Sequence, residues 1–213
     1  MCKKVVCFDL DDTLYKEIDF VESAYREIAT SVGHPDLAEK MVRWYHEGKN
    51  VFNERNSHLN IVVSTVEYLA IFHRHKPSIS LSGGVEDTMA QLKDDGVVLG
   101  LITDGRSVTQ RNKITALRLE RWFEKDNIVI SEEFGSEKVD GLCFRYFMDR
   151  YSRNSFTYVG DNPKKDFLVP NQLGWQTIML KDDRRNIHKQ YDVSEMLRPK
   201  VVVDRFEKIR EFI

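Results

Sequence analysis

Six short apolar runs punctuate this chain, at residues 5–8, 97–102, 128–130, 156–159, 175–180 and 201–203. Short continuous runs rich in Val and Ile read as strands buried on both faces. Most of them are separated by stretches with helical spacing. Residues 85–95 place Met89 and Leu92 inward and stop at Gly96. Residues 110–123 repeat the pattern through Ile114, Leu117 and Leu119, and 142–151 and 206–212 read as two further helices. Strand alternating with helix at this spacing predicts an α/β fold: a three-layer, doubly wound parallel sheet with helices on both faces.

The alternation fails between residues 16 and 81. Helical spacing there runs through Val21, Ala24, Tyr25 and Ile28, then Leu37, Met41, Val42 and Tyr45, then Val62, Val66, Leu69 and Phe72, with no strand between. The expected organisation is a catalytic core of residues 1–15 and 82–213 interrupted by an all-helical cap insertion, 16–81, that ends at Ser82-Gly83-Gly84. An insertion at the C-terminal edge of a strand covers the crevice of an open sheet. Trp44, Trp122 and Trp175 read as packing residues.

A formal net charge of -2 over 213 residues gives no electrostatic case for a nucleic acid polymer or an anionic membrane. Cys2, Cys7 and Cys143 form an odd count without C-x-x-C spacing, which reads as reduced thiols, with Cys7 a small core residue. Lys3-Lys4 precede too few apolar residues for a signal peptide, and no run reaches membrane-spanning length. The expectation is a soluble, cytoplasmic protein.

The first apolar run ends in Asp9-Leu10-Asp11-Asp12-Thr13. Repulsion and desolvation oppose three carboxylates at the end of a buried strand unless a cation or a reaction needs them. Other strand ends carry partners: Thr103-Asp104-Gly105, Lys138 beyond the 128–130 run, and Gly160-Asp161 with Asp166. In a doubly wound sheet these ends converge on one crevice. Carboxylates without a His or Cys cluster favour a hard cation, Mg2+ before Zn2+. A lysine and a threonine hydroxyl beside it suit phosphoryl oxygens, and a carboxylate able to attack, with a second two residues on, suits covalent catalysis through an aspartyl phosphate.

These four motifs, in this order, resemble those of the haloacid dehalogenase superfamily. The stretch from Leu101 through Gln110 and Lys113 to Ser131-Glu132-Glu133 and Lys138 is similar to its subgroup of nucleotide and sugar-phosphate phosphatases, whose members carry a small helical cap on a Rossmann-like core. The resemblance implies that Asp9 is the nucleophile and Asp11 the acid and base. It implies that Asp9, the Asp11 carbonyl, Asp161 and Asp166 hold Mg2+, and that Thr103, Lys138 and the backbone around Asp104 bind the phosphoryl group of a small phosphorylated metabolite. A phosphomutase, or a catalytically silent protein on the same fold, stands as the alternative. One departure is Val139, where the family places proline after the lysine; its absence is expected to loosen Lys138. Lys125, between Glu124 and Asp126, reads as a surface residue. Tyr15, Lys16 and Asp19 are expected at the entrance. Tyr45, His46, Asn53, Arg55 and Asn56 read as surface or inter-helix residues, His73-Arg74-His75-Lys76 as cations at a helix C-terminus, and Asp12 as structural or electrostatic.

Overall fold

A computed structural model describes residues 3–213, so Cys2 lies outside the described residues. Strands β1 (Lys4–Phe8), β2 (Val98–Thr103), β3 (Ile128–Ile130), β4 (Ser155–Gly160), β5 (Gln176–Leu180) and β6 (Val201–Val203) form one sheet in the order β3-β2-β1-β4-β5-β6. Every neighbouring pair is parallel. All the expected strands are present, and no boundary moves by more than one residue. The chain winds outward from β1 in one direction, then returns to β4 and winds the other way. The switch between β1 and β4 opens a crevice beyond their carboxyl ends, where an open α/β sheet binds ligands.

Alternation along β1 divides the core. Val6 and Phe8 pack into the layer containing Leu101, Ile114, Val159 and Ile178. Val5 and Cys7 face the other layer, with Ile102, Phe144, Phe147, Tyr158 and Trp175. Cys7 and Cys143 are free, buried thiols, as a core reading of Cys7 requires.

Between β1 and the Ser82 cap the chain is helical: α1 (Glu17–Ser31), α2 (Ala38–His46), α3 (Val51–Leu59) and α4 (Thr65–Arg74). Three helices were expected here, and α3 is the addition. Its apolar content is confined to Val51, Phe52 and Leu59, too sparse for a stripe, so Asn50, which accepts from the Asn53 N–H at 3.0 Å, marks its start better than periodicity does. The third expected helix also starts later. Ser64 and Glu67 form a capping box, which leaves Val62 outside α4 and 98% exposed, and Tyr68 rather than Val66 on the buried face.

Beyond Ser82 come α5 (Gly83–Asp94), α6 (Ser107–Ala116), α7 (Ser131–Phe134), α8 (Leu142–Arg150) and α9 (Leu168–Gln172). The expected 110–123 helix is split: Arg118 takes a left-handed φ of 53°, and a 3-10 turn, Leu119–Arg121, follows. The final Phe206–Phe212 segment is 3-10 rather than α-helical. Among the described residues no helix is long and apolar enough to cross a membrane.

The close approach of Phe147 to Gly100 fixes a prediction. Phe147 is fully buried against Gly100, where an added Cβ would lie 2.6 Å from its ring. Phe147→Ala is expected to destabilise the fold by about 3–5 kcal/mol in chemical denaturation. A loss under ~1 kcal/mol would mean that this layer is not close-packed.

Candidate active site

β1 ends at Phe8 and β4 at Gly160, which places Asp9 and Asp161 side by side at the mouth of the crevice. Thr103 closes β2, and Lys138 opens a 3-10 turn, Lys138–Asp140, beyond β3. The ammonium of Lys138 donates to Asp9 Oδ1 at 2.5 Å and to Asp166 Oδ1 at 2.9 Å, with all three side chains buried. Asp166 Oδ2 accepts the N–H groups of Asp161 (3.2 Å) and Asn162 (2.9 Å). Gly160 permits this approach, because a Cβ there would sit 2.5 Å from Asp166 Oδ2.

Lys138 is held despite Val139. Asp104 Oδ1 accepts its backbone N–H at 3.1 Å, and Glu137 and Asp140 cap its turn reciprocally. The expected loosening is absent because hydrogen bonds supply the restraint that proline supplies elsewhere. Asp104 thus spends its carboxylate on positioning the lysine.

Asp11 points elsewhere. Its Oδ1 accepts from Tyr15 (2.5 Å) and from Lys113 (2.6 Å), and its Oδ2 accepts from Gln110 Nε2 (3.0 Å). The same Gln110 nitrogen donates to Thr103 Oγ1 at 2.6 Å. Asp12, at φ 56°, accepts the N–H of Glu17 (3.0 Å) and of Ile187 (2.9 Å), which makes it structural. Asn186 Nδ2 donates to Asp161 Oδ2 at 2.9 Å.

One carboxylate oxygen from each of Asp9, Asp161 and Asp166 lies within 4.8 Å of the others, and all three residues are buried. Burial pushes the Asp9 carboxyl up to about 7, with Lys138 opposing and Asp166 and Asp11 adding repulsion. Burial, then repulsion from Asp166, Asp9 and Asp12, pushes Asp161 up to about 9. Burial also resists ionisation of Asp11, but the charge of Lys113 and the surrounding donors outweigh it and hold the group below the usual carboxylate range. An all-oxygen donor set with one lysine among three buried carboxylates fits a hard divalent cation, which would relieve this repulsion.

The remaining candidates separate clearly. Lys125 is exposed. Arg55 is fully buried with its guanidinium 5.1 Å above the Tyr68 ring, and Asn56 Nδ2 donates to the Val63 carbonyl at 2.8 Å, so both are inter-helix or turn residues. The basic stretch at the C-terminal end of α4 docks it on α6: Thr109 donates to the His73 carbonyl at 3.2 Å and Asn112 to the His75 carbonyl at 3.0 Å. Lys16 bonds Asn186 (2.7 Å) and pairs with Asp183 (3.0 Å). A cleft of about 160 Å³ is lined by Asp9, Asp11, Thr103, Asp161, Lys165 and His188, among others. Sequence reasoning assigned no role to Gln110, Lys113, Glu17, Asn186, Lys165 or His188. A signal existed for the first two: they share the buried face of α6 with Ile114, an unusual place for polar side chains.

Comparison with known proteins settles the kinship. The family model described as haloacid dehalogenase-like hydrolase matches residues 3–174. The chain belongs to this family. As a haloacid dehalogenase-like hydrolase it is 28% identical over 224 residues to a glyceraldehyde 3-phosphate phosphatase of Methanocaldococcus jannaschii, covering 91% of this chain and 93% of the relative. It is 24% identical to a phosphoglycolate phosphatase of Vibrio cholerae, covering 80% and 81%. A putative hydrolase of the same family from Bacillus subtilis, solved with magnesium, superposes with a TM-score of 0.68 at 20% identity, covering 100% of this chain and 99% of that one.

The raised carboxyls give a pH prediction. Asp9 and Asp161 ionise near 3.8 in the unfolded chain but near 7 and 9 in the fold, and Glu17 rises from 4.5 to about 8. A raised folded value contributes stability that is complete below the unfolded pKa and is lost as pH rises through the folded one. Asp11, lowered, contributes a constant amount above its ordinary range. In chelator the melting temperature is therefore expected to fall from about pH 4 to about pH 9, most steeply between about pH 4.5 and 7 where all three groups contribute, with the fall largely removed by Mg2+. Calorimetry across this range checks it; a flat profile in chelator would contradict the burial of these charges.

Proposed function

We propose that the protein is a Mg2+-dependent phosphatase hydrolysing a small phosphomonoester, with residues 16–81 as a cap over the sheet crevice. The observation that carries the reading is the division of labour between Asp9, bound to Lys138 at 2.5 Å inside the carboxylate cluster, and Asp11, turned away from it into a set of donors. This division supports the reading of Asp9 as the attacking carboxylate and Asp11 as the proton-handling one.

Asp9, Asp161 and the Asp11 carbonyl, with Asp166 behind them, would hold Mg2+, which supplies the positive charge that lets a phosphate dianion enter among carboxylates. Both Asp166 oxygens are already engaged, so its support acts through Lys138 and the loop after β4. Lys138 and Thr103 would bind phosphoryl oxygens. A carboxylate oxygen of Asp9 forms a bond to phosphorus as the bond to the leaving oxygen breaks. The leaving oxygen keeps the electron pair and takes a proton from Asp11, which must therefore enter this step protonated although its donors favour the ionised form that serves the second step as base. Water then attacks the aspartyl phosphate and gives its proton to Asp11, which releases phosphate and restores Asp9.

The cleft of about 160 Å³ is roughly half the lower end of the volume range for drug-sized ligands, which favours two- and three-carbon phosphates over nucleotides. The phosphoglycolate and glyceraldehyde 3-phosphate phosphatases among its relatives support the same class.

Phosphate release from 4-nitrophenyl phosphate is expected with Mg2+, to vanish in chelator, and to fall by about 10³-fold or more in Asp9→Asn. Full activity of that variant would remove the nucleophile assignment. In a substrate panel, glyceraldehyde 3-phosphate and phosphoglycolate are expected to exceed AMP in kcat/KM by at least about tenfold. A preference for AMP would overturn the size argument, and isomerised sugar phosphate without free phosphate would indicate a mutase.

A further inference from the structure

We infer that Lys113, with Tyr15 and Gln110, is a positioning residue that fixes the Asp11 carboxylate for proton transfer and ties it to Thr103. The inference rests on the phosphatase reading above. Lys113 is 3% exposed, an unusual position for a lysine, and its ammonium meets Asp11 Oδ1 at 2.6 Å. It is held there from two further sides, by Glu17 Oε1 at 3.6 Å and by the Phe20 ring at 4.4 Å. Tyr15 donates to the same Oδ1 at 2.5 Å. Among the described residues, Oδ2 receives only Gln110, at 3.0 Å. The two oxygens are therefore unequal: Oδ1 is saturated by two donors, and Oδ2 keeps a lone pair for the proton that passes to the leaving oxygen or arrives from water.

Gln110 adds the second half of the device. Its Nε2 donates to Asp11 Oδ2, to Thr103 Oγ1 at 2.6 Å and to the Asp104 carbonyl at 3.2 Å, whereas its Oε1 is buried without a partner. Reversing the amide would set its oxygen against the Asp11 carboxylate and the Asp104 carbonyl, which can only accept, so the orientation is dictated by the site. Because Thr103 Oγ1 accepts from Gln110, its own proton is free to donate to a phosphoryl oxygen. Gln110 and Lys113 are three apart on α6, so one helix face orients both the proton-handling group and a phosphate donor.

The test uses the full chain with Mg2+ and two substrates, glycerol 3-phosphate and 2,4-dinitrophenyl phosphate. The alkoxide needs a proton as it leaves; dinitrophenolate does not. Lys113→Met is expected to lower the ratio of kcat/KM for the alkyl over the aryl ester by about 10–100-fold. With the aryl ester it should also release a burst of dinitrophenolate before a slower steady state, because hydrolysis of the aspartyl phosphate still needs Asp11 as base. Lys113→Arg should recover part of the ratio. Tyr15→Phe, which deletes one hydroxyl, should shift the ratio in the same direction and serves as the test if Lys113→Met does not fold. Equal losses on both esters in a wild-type-active background would overturn the positioning role alone. A wild-type protein inactive on both, with no phosphate trapped on Asp9, would overturn it together with the phosphatase reading.

Discussion

Lys138, 4% exposed, holds Asp9 and Asp166 at 2.5 and 2.9 Å where the central strands end. A buried ammonium is costly unless its charge is met on more than one side, and removing one partner of such a set typically costs about 3–5 kcal/mol because the other charge is left uncompensated. The arrangement therefore constrains everything around it. Asp9 must follow β1 directly. Gly160 must lack a Cβ so that Asp166 can lie against the end of β4. Asp104, after β2, must turn its carboxylate to the Lys138 N–H. Three strands from different parts of the chain are registered against one another by a single lysine, two through its ammonium and one through its backbone N–H.

The surplus of negative charge is then handled unevenly, and the unevenness separates the carboxylates by role. Asp12 accepts two backbone N–H groups, which only partly offset the burial that pushes it up, and Asp166 accepts two more beside the Lys138 ammonium. Asp11 has its own lysine. Asp9 and Asp161 are driven up to about 7 and about 9, and Glu17, buried beside Asp11, to about 8. A site that is destabilised as protein alone is preorganised for an added cation, since binding relieves repulsion that folding has already imposed.

Much of this was legible in the sequence because buried parallel strands write themselves as continuous apolar runs, and polar residues just after them are out of place. All six strands and the carboxylates Asp9, Asp11, Asp161 and Asp166 belong to that class. What was not legible depends on short-range capping or on tertiary partners. Helix α3 has almost no apolar stripe, and α4 begins where Ser64 and Glu67 cap it, not where hydrophobicity begins. The break at Arg118 is a backbone choice at a residue with no turn signature. Lys138 looked loosened by the lack of a proline because its restraints, Asp104 and the Glu137–Asp140 cap, come from hydrogen bonds that spacing does not reveal.

Helix α6 shows why the polar partners of a site escape a motif-based reading. Its residues contribute to two contacts at once. Thr109 and Asn112 receive the end of α4 through the carbonyls of His73 and His75, whereas Gln110 and Lys113, one step around the helix, grip Asp11. Phe20 on α1 completes the link by covering the Lys113 ammonium. The seating of the helical segment on the sheet and the orientation of Asp11 are thus set by the same ten-residue element. A shift of α1 and α4 against α6 would loosen the cover over Lys113 and with it one of the two donors on Asp11 Oδ1. Part of the hydrogen bonding of Asp11 therefore depends on the seating of the helices, whereas the partners that hold Asp9 and Lys138 all lie at the sheet edge.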